Sequence, residues 1–143
     1  MPRAHGIGAE IHVVAGVLRS EEGLVLIARR PPGSHLAGGW EFPGGKLAPG
    51  EAPLAGLVRE LREEIGVEVL EAGPLVQCRH EYPDRRVLLD VWEVFRYRGE
   101  PRALEGQPLR WEAIERLPGV GLLPADEPVV DALLARRASS ADR

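Results

Sequence analysis

The chain has 143 residues, of which 44% are hydrophobic and 28% are charged, and its net charge is −4. This length and composition suit one globular domain with a hydrophobic core and are too small for two. The acidic balance argues against a protein that coats a nucleic-acid backbone, which normally needs a basic excess. The single cysteine, Cys78, excludes an internal disulfide and a zinc site built from cysteines.

The ends and apolar runs of the chain bear on its location. Residues 1–10 lack the charged-then-apolar pattern of a signal peptide, and the run at 13–18 is far shorter than the roughly 20 residues of a membrane-spanning helix. We therefore expect a cytoplasmic protein with no membrane or nucleic-acid polymer as partner. A monomer is expected, because no exposed apolar segment indicates a subunit interface.

In chain order, the first predicted elements are strands. Residues 10–19 and 24–28 are rich in Val, Ile and Leu, and the glycine-containing segment 20–23 between them predicts a hairpin. Residues 31–39 contain Pro-Pro-Gly and Gly-Gly, which predict a loop.

Beyond a central helix, the sequence predicts more strands and a last helix. Strands are expected at 67–70, 75–80 and 87–97, with a turn at 82–85. Residues 111–117 predict a short helix, and residues 126–137 predict a helix with Pro128 in its first turn. We therefore expect a mixed sheet covered by helices.

The central helix separates apolar from acidic positions. Pro53 suits its first turn and Gly66 suits the residue just past its end. An apolar stripe about 100° wide is predicted, and glutamates spaced i, i+3 and i+4 lie on another face. The stripe is Leu54, Leu57, Val58, Leu61 and Ile65, and the acidic positions are Glu60, Glu63 and Glu64.

A solvated acidic surface is the ordinary interpretation of such a helix, since like charges there only repel weakly. Three neighbouring features favour a metal site instead. Glu51 adds a fourth carboxylate, the glycine-rich turn at 44–45 allows backbone to approach a ligand, and Arg59 can orient a carboxylate. Mg²⁺ is typically held by a few carboxylates while substrate phosphates complete its shell. The pattern therefore predicts a phosphate-handling metal site.

The spacing of residues 45–67 resembles a known motif. Gly45, five residues, Glu51, seven residues and then Arg-Glu-Leu-Arg-Glu-Glu-Ile-Gly-Val at 59–67 match every defined position of the Nudix box. The resemblance implies a single Nudix domain over residues 1–143 with an α+β fold, an α/β/α sandwich with a mixed central sheet. It also implies a hydrolase that cleaves a nucleoside diphosphate linkage with Mg²⁺, for which Mn²⁺ can substitute.

The resemblance also implies roles for individual residues. Glu60 is the best general-base candidate, Arg59 would hold Glu60 in place, and Glu51 would support the loop. The metal ligands it implies are the carbonyl of Gly44 and the carboxylates of Glu60, Glu63 and Glu64, to which the resemblance of residues 105–108 to the MutT-like subfamily adds Glu105.

Flanking stretches at 40–46, 82–85, 105–108 and 124–128 resemble the MutT-like subfamily. That resemblance implies hydrolysis of 8-oxo-dGTP to 8-oxo-dGMP and pyrophosphate, with Arg30 contacting phosphate and Phe42 and Arg85 lining the nucleoside pocket. Phe42 could equally be a core residue, and Arg30 and Glu105 could be ordinary surface residues. A Nudix-fold binding module without catalysis would be expected to lack the glutamates.

Asp126 departs from the MutT pattern, which has asparagine there. An amide both donates and accepts hydrogen bonds, as the N7–H and O6 of 8-oxoguanine require, whereas an ionised aspartate only accepts. Three interpretations stay open. Asp126 could read 8-oxoguanine if burial raised its pKa, it could accept from the amino group of cytosine in CTP or 5-methyl-dCTP, or it could only cap the last helix.

Overall fold

The computed structural model describes residues 10–34 and 36–141, with side chains through Arg137. Its strands are β1 (Ile11–Leu18), β2 (Val25–Arg29), β3 (Trp40–Glu41), β4 (Gly44–Lys46), β5 (Glu68–Tyr82), β6 (Arg85–Arg98) and β7 (Leu109–Glu112). Its helices are α1 (Pro53–Ile65) and α2 (Glu127–Ala141), and 3₁₀ turns cover Ile114–Gly119 and Pro124–Asp126. Among the helices of this described part, none is long and apolar enough to cross a membrane.

The strands form two sheets. The larger sheet has the order β4-β1-β6-β5, in which β1 and β6 run parallel and the other pairs are antiparallel. The smaller sheet has the order β3-β2-β7 and is antiparallel. The predicted mixed sheet and α+β class are confirmed.

Strand β1 is buried on both faces because each face meets a helix. Val14 and Leu18 pack in one core with α1, whereas Ala15 and Val17 pack in a second core with α2. Successive side chains of a strand point to opposite faces, so a strand between two helical layers must be apolar throughout. This arrangement is the α/β/α sandwich.

The predicted hairpin between the first two strands is wrong. β1 and β2 belong to different sheets, and only the single bridge between Arg19 and Val25 joins them. The turn itself forms, with the amide of Ser20 donating to the Leu24 carbonyl at 2.8 Å. The partners of β1 are instead β4 and β6, which come from distant parts of the chain.

Two other boundaries differ from prediction. The strands expected at 67–70 and 75–80 are one 15-residue strand, β5, whose register shifts near Glu71 and Pro74 replace the predicted break. The helix expected at 111–117 is wrong at its start, because residues 111–112 pair with β2 as part of β7. A 3₁₀ turn, Ile114–Gly119, follows the strand.

Helix α1 has the predicted bounds. Pro53 is its first residue, and Gly66 follows it in the left-handed conformation with φ 72°. Leu57, Leu61 and Ile65 are fully buried, but Leu54 in the first turn is 42% exposed. The stripe that anchors the helix therefore begins one turn later than predicted.

Gly44 approaches β1 too closely to carry a side chain. A Cβ atom at Gly44 would lie 1.9 Å from the carbonyl oxygen of Val14 and 2.7 Å from the Cα of Ala15. Both are backbone atoms of a paired strand and cannot rotate away. The close approach is what allows β4 to lie beside β1 in register.

We expect Gly44→Ala to lower the free energy of unfolding by about 3 kcal/mol, at the upper end of the usual cost of overpacking. Gly119→Ala is the matched control, because a Cβ at Gly119 meets no atom within 4 Å. Urea denaturation of both variants measures the difference. Equal stability of the two would contradict the close contact.

Candidate active site

The acidic face of α1 is organised by one guanidinium group. Arg59 donates from Nε and Nη2 to the two carboxylate oxygens of Glu51 at 2.7 and 2.8 Å. Its Nη1 donates to Glu60 at 3.0 Å and to Glu63 at 3.1 Å. Its Nη2 also reaches the carbonyl oxygen of Lys46 at 3.2 Å. Arg59 therefore contacts three of the four carboxylates predicted around α1. Its bidentate ion pair is with Glu51, whereas Glu60 accepts a single hydrogen bond.

Glu51 belongs to the loop before α1. Its carboxylate accepts a hydrogen bond from the Ala48 amide at 2.9 Å as well as those from Arg59. The Arg59 hydrogen bond, followed by the Ala48 amide, lowers the pKa of Glu51 to about 2. A carboxylate held by two partners in this way stays ionised and ties the loop to the helix.

Glu60 packs against the glycine-rich strand β4. A Cβ at Gly45 would lie 2.3 Å from the Oε1 atom of Glu60, so only glycine leaves room for this carboxylate. Burial raises the pKa of Glu60, while the hydrogen bond from Arg59 opposes that change. Gly45 and Glu60, which are both defined positions of the motif, therefore lie in direct contact with each other.

Glu64 is the most perturbed carboxylate of the helix. Burial raises its pKa to about 8, with further contributions from the charges of Glu41, Glu105 and Glu60. A hydrogen bond from the Gly44 amide works in the opposite direction. Glu64 therefore lies among carboxylates whose charges disfavour its own ionisation.

Glu105 reaches this cluster through the loop before β7. The amide of Leu104 and the side-chain amide of Gln107 both donate to the Glu64 carbonyl, at 3.2 and 3.3 Å. Gln107 also accepts from the Glu105 amide at 3.1 Å and is 7% exposed. These bonds satisfy the free carbonyl of Glu64 at the end of α1 and bring Glu105 next to Glu64.

The predicted metal ligands are close but do not converge. Within residues 10–34 and 36–141, no three His, Cys, Asp or Glu side chains are arranged to hold a metal ion. Glu60 and Glu63 are turned towards Arg59 instead. The arrangement places the predicted ligand types together without forming a finished coordination sphere.

A cavity of about 160 Å³ lies beside the acidic face. Gly44 and Gly45 line it on one side, and the same two glycines contact Glu64 and Glu60. All four residues predicted to bind substrate line this cavity, namely Arg30, Phe42, Arg85 and Asp126. Phe42 is 3% exposed and belongs to the core with α2, so it is a core residue that also lines the cavity.

Asp126 is nearly inaccessible, with 4% exposure. Burial and then the charge of Glu41 raise its pKa well above the usual value. Asp126 is the last residue of the 3₁₀ turn Pro124–Asp126, which runs directly into α2, and Leu123 occupies the capping position of that turn. Asp126 is thus inside the helical segment and lines the cavity.

Sequence reasoning missed three polar residues of the cavity, Glu41, Lys46 and Tyr82. Glu41 pairs with Arg30 through Nη1 at 3.3 Å and faces inward from β3. Tyr82 accepts a hydrogen bond from the Ala125 amide at 3.3 Å. Glu41 directly precedes the predicted site residue Phe42, and Tyr82 is the first residue of the predicted turn at 82–85. Trp40, at the start of the 40–46 stretch, does not line the cavity, and its ring lies 4.8 Å from the guanidinium of Arg110.

Known proteins resemble the chain over most of its length. A model of the NUDIX domain matches residues 14–132. An 8-oxo-dGTP diphosphatase from Escherichia coli K12 is 38% identical, with 85% of this chain and 94% of that protein covered. A CTP pyrophosphohydrolase from the same organism is 40% identical, with 90% and 95% covered.

A solved structure agrees with the fold. The crystal structure of a MutT protein from Methanosarcina mazei superposes with a TM-score of 0.80 at 26% identity, covering 90% of this chain and 95% of that one. The sandwich fold, the intact box from Gly45 to Val67 and these likenesses agree with one another. The chain therefore belongs to the Nudix hydrolase family, within its MutT-like group.

Proposed function

We propose that this chain hydrolyses 8-oxo-dGTP to 8-oxo-dGMP and pyrophosphate, with Mg²⁺ as cofactor. The observation that carries the proposal is the junction between the acidic face and the cavity. Gly44 and Gly45 form the shared wall, with Glu60 and Glu64 on one side and the base-sized space ending at Asp126 on the other. A triphosphate on the acidic side and a base in the cavity would use both.

The acidic cluster fits Mg²⁺ in its chemistry. Its donors are carboxylate oxygens together with the Gly44 carbonyl, which are the ligands a hard divalent cation prefers. The raised pKa of Glu64 supports this fit, because a buried carboxylate beside the charges of Glu41, Glu105 and Glu60 is stabilised by a bound cation. We propose Gly44, Glu60, Glu63, Glu64 and Glu105 as the ligand set. Mg²⁺ bound there would neutralise charge on the phosphate oxygens and the leaving group.

The proposed reaction is an in-line attack of water on the triphosphate, breaking the bridge between the α and β phosphates. Glu60 would accept the proton of the attacking water, since its carboxylate is fixed against Gly45 and held by Arg59. Arg30, paired with Glu41 in the cavity wall, would contact phosphate. Glu51 would act through Arg59 by holding the guanidinium that orients Glu60.

Base recognition is proposed to depend on Asp126. Because burial raises its pKa, the carboxyl group keeps a proton more readily than an exposed aspartate. A protonated carboxyl group donates and accepts, as the asparagine of the MutT pattern does. It could then accept from N7–H and donate to O6 of 8-oxoguanine, while Phe42 packs against the base.

A second candidate function is hydrolysis of cytosine nucleotides such as CTP or 5-methyl-dCTP. An ionised Asp126 would accept from the amino group of cytosine. The likeness to a CTP pyrophosphohydrolase at 40% identity supports this alternative. In either case the expected partner is a free nucleotide and the expected state is a monomer, which size-exclusion chromatography tests.

The first experiment is a comparison of kcat/KM for 8-oxo-dGTP, dGTP, dCTP, 5-methyl-dCTP and CTP with Mg²⁺. We expect the highest value for 8-oxo-dGTP, with the monophosphate and pyrophosphate identified by chromatography. A preference for the cytosine nucleotides would replace the substrate and keep the reaction. No hydrolysis of any nucleoside triphosphate would refute the proposed function.

Glu60→Gln is expected to lower kcat by about 10²- to 10⁴-fold, the usual contribution of a general base. The melting temperature should stay the same or rise slightly, because one charge leaves a like-charged cluster. Glu68→Gln is the control, since that carboxylate pairs with Arg98 on the surface. Comparable turnover of the Glu60 variant and the wild type would contradict the assigned role.

The Glu64→Gln variant tests whether the surroundings of the Glu64 carboxylate destabilise its charged form, and the readout is protein stability as a function of pH. The raised pKa of about 8 means that the folded protein binds this proton more tightly than the unfolded chain does. Wild-type stability should therefore fall as pH rises from about 4.5 towards about 8 and level off above that. Glutamine keeps an oxygen for the Gly44 amide but has no charge, so its advantage in melting temperature should grow over the same range.

Thermal melts in chelator at several pH values measure this advantage, with the exposed Glu71→Gln variant as control. Added Mg²⁺ should shrink the difference by stabilising the wild type. A difference that does not change with pH would show that the Glu64 carboxylate is not destabilised by its surroundings.

The Asp126→Asn variant tests whether the Asp126 carboxyl group recognises the base. Asparagine donates at every pH, whereas aspartate donates only while protonated, so the wild-type preference for 8-oxo-dGTP over dGTP should fall as pH rises. We expect the variant to keep its preference and to exceed the wild type by about fivefold at high pH, the worth of one hydrogen bond. Asp131→Asn on the exposed face of α2 is the control. An unchanged preference at all pH values would remove Asp126 from base reading.

A further inference from the structure

The helical segment that carries Asp126 begins without a cap of its own. The first N–H groups of a helix have no partner within it. Leu123 holds the capping position and has no side-chain oxygen to offer. The Asp126 amide donates to the Leu123 carbonyl at 2.9 Å, which leaves the Ala125 amide to find a partner elsewhere.

That partner comes from strand β5. The Tyr82 hydroxyl accepts the Ala125 amide at 3.3 Å, and the Cys78 thiol donates to the Ala125 carbonyl at 3.8 Å. Cys78, His80 and Tyr82 alternate along one face of the strand, and the His80 and Tyr82 rings lie 4.5 Å apart. The backbone amide and carbonyl of Ala125, the residue before Asp126, are therefore both hydrogen-bonded to side chains of β5.

Tyr82 is also part of the cavity. It lines the same space as Asp126, and it pairs across the hairpin with Arg85, which lines that space too. Ala125 is 7% exposed, so its amide cannot turn to water if the tyrosine oxygen is removed. This buried hydrogen bond therefore holds the backbone one residue before Asp126.

We propose that Tyr82 is a positioning residue for base selection. Its hydroxyl acts as the missing cap of the segment Pro124–Asp126 and so fixes the Asp126 carboxyl group against the base. This inference rests on the proposed function, in which Asp126 reads the base. Tyr82 would act through Asp126 and not by binding the base itself.

Tyr82→Phe tests the idea with a small change, because it keeps the ring against His80 and removes only the oxygen. The chain offers a matched control in Tyr97→Phe. The Tyr97 hydroxyl also has a backbone partner, donating to the Arg19 carbonyl at 3.5 Å, but Tyr97 does not line the cavity.

The measurement is the ratio of kcat/KM for 8-oxo-dGTP to that for dGTP. We expect Tyr82→Phe to lower this ratio roughly fivefold, the worth of one misplaced hydrogen bond, mainly through a higher KM for 8-oxo-dGTP. Tyr97→Phe should leave the ratio at the wild-type value. A purely structural role of Tyr82 would reduce both substrates in proportion, and an unchanged ratio would overturn the inference.

The same substitution in an Asp126→Ala background separates positioning from direct contact. If Tyr82 acts through Asp126, Tyr82→Phe should cause no further loss of the ratio there. A further loss of similar size would show that Tyr82 acts independently and would overturn the positioning role. A wild type that hydrolyses no nucleoside triphosphate would refute the proposed function, whereas an active wild type with an unchanged ratio refutes only the inference.

Discussion

The Arg59 guanidinium is the contact on which the acidic site depends. Carboxylates crowded on one helical face repel each other, and burial makes that repulsion stronger. Arg59 offsets it by binding Glu51, Glu60 and Glu63 together and by reaching the backbone at Lys46. One cation therefore joins the loop, the helix and strand β4, and keeps the carboxylates in place for their chemistry.

Packing determines where this charge is held. Leu57, Leu61 and Ile65 anchor α1 on the sheet, which leaves the acidic face directed at the glycine-rich strand. Gly44 and Gly45 let backbone approach β1 on one side and Glu60 on the other, where any side chain would collide. The thin wall that results separates the acidic face from the cavity lined by Arg30, Phe42 and Asp126 by the width of one strand.

The cavity shows how burial changes the chemistry of a residue. Asp126 replaces the amide of the MutT pattern, yet its enclosure and the nearby Glu41 favour the protonated form, which has the same donor and acceptor pair. The backbone around it is held by Tyr82 and Cys78 from β5 and by Leu123 bonded to Trp40. In the proposed role of Asp126 as the base reader, selectivity would depend on the positions of its two carboxyl oxygens, which this backbone support fixes.

Local patterns in the sequence predicted the parts whose partners are near in the chain. Helix α1, its end at Gly66 and the contacts among Glu51, Arg59, Glu60 and Glu63 follow from spacing along one loop and one helix. Tertiary structure alone decided which sheet β2 joins, how Glu105 reaches Glu64, and that Asp126 is buried inside a helical segment. These features depend on strands and loops that meet from distant positions, and local periodicity carries no information about such pairings.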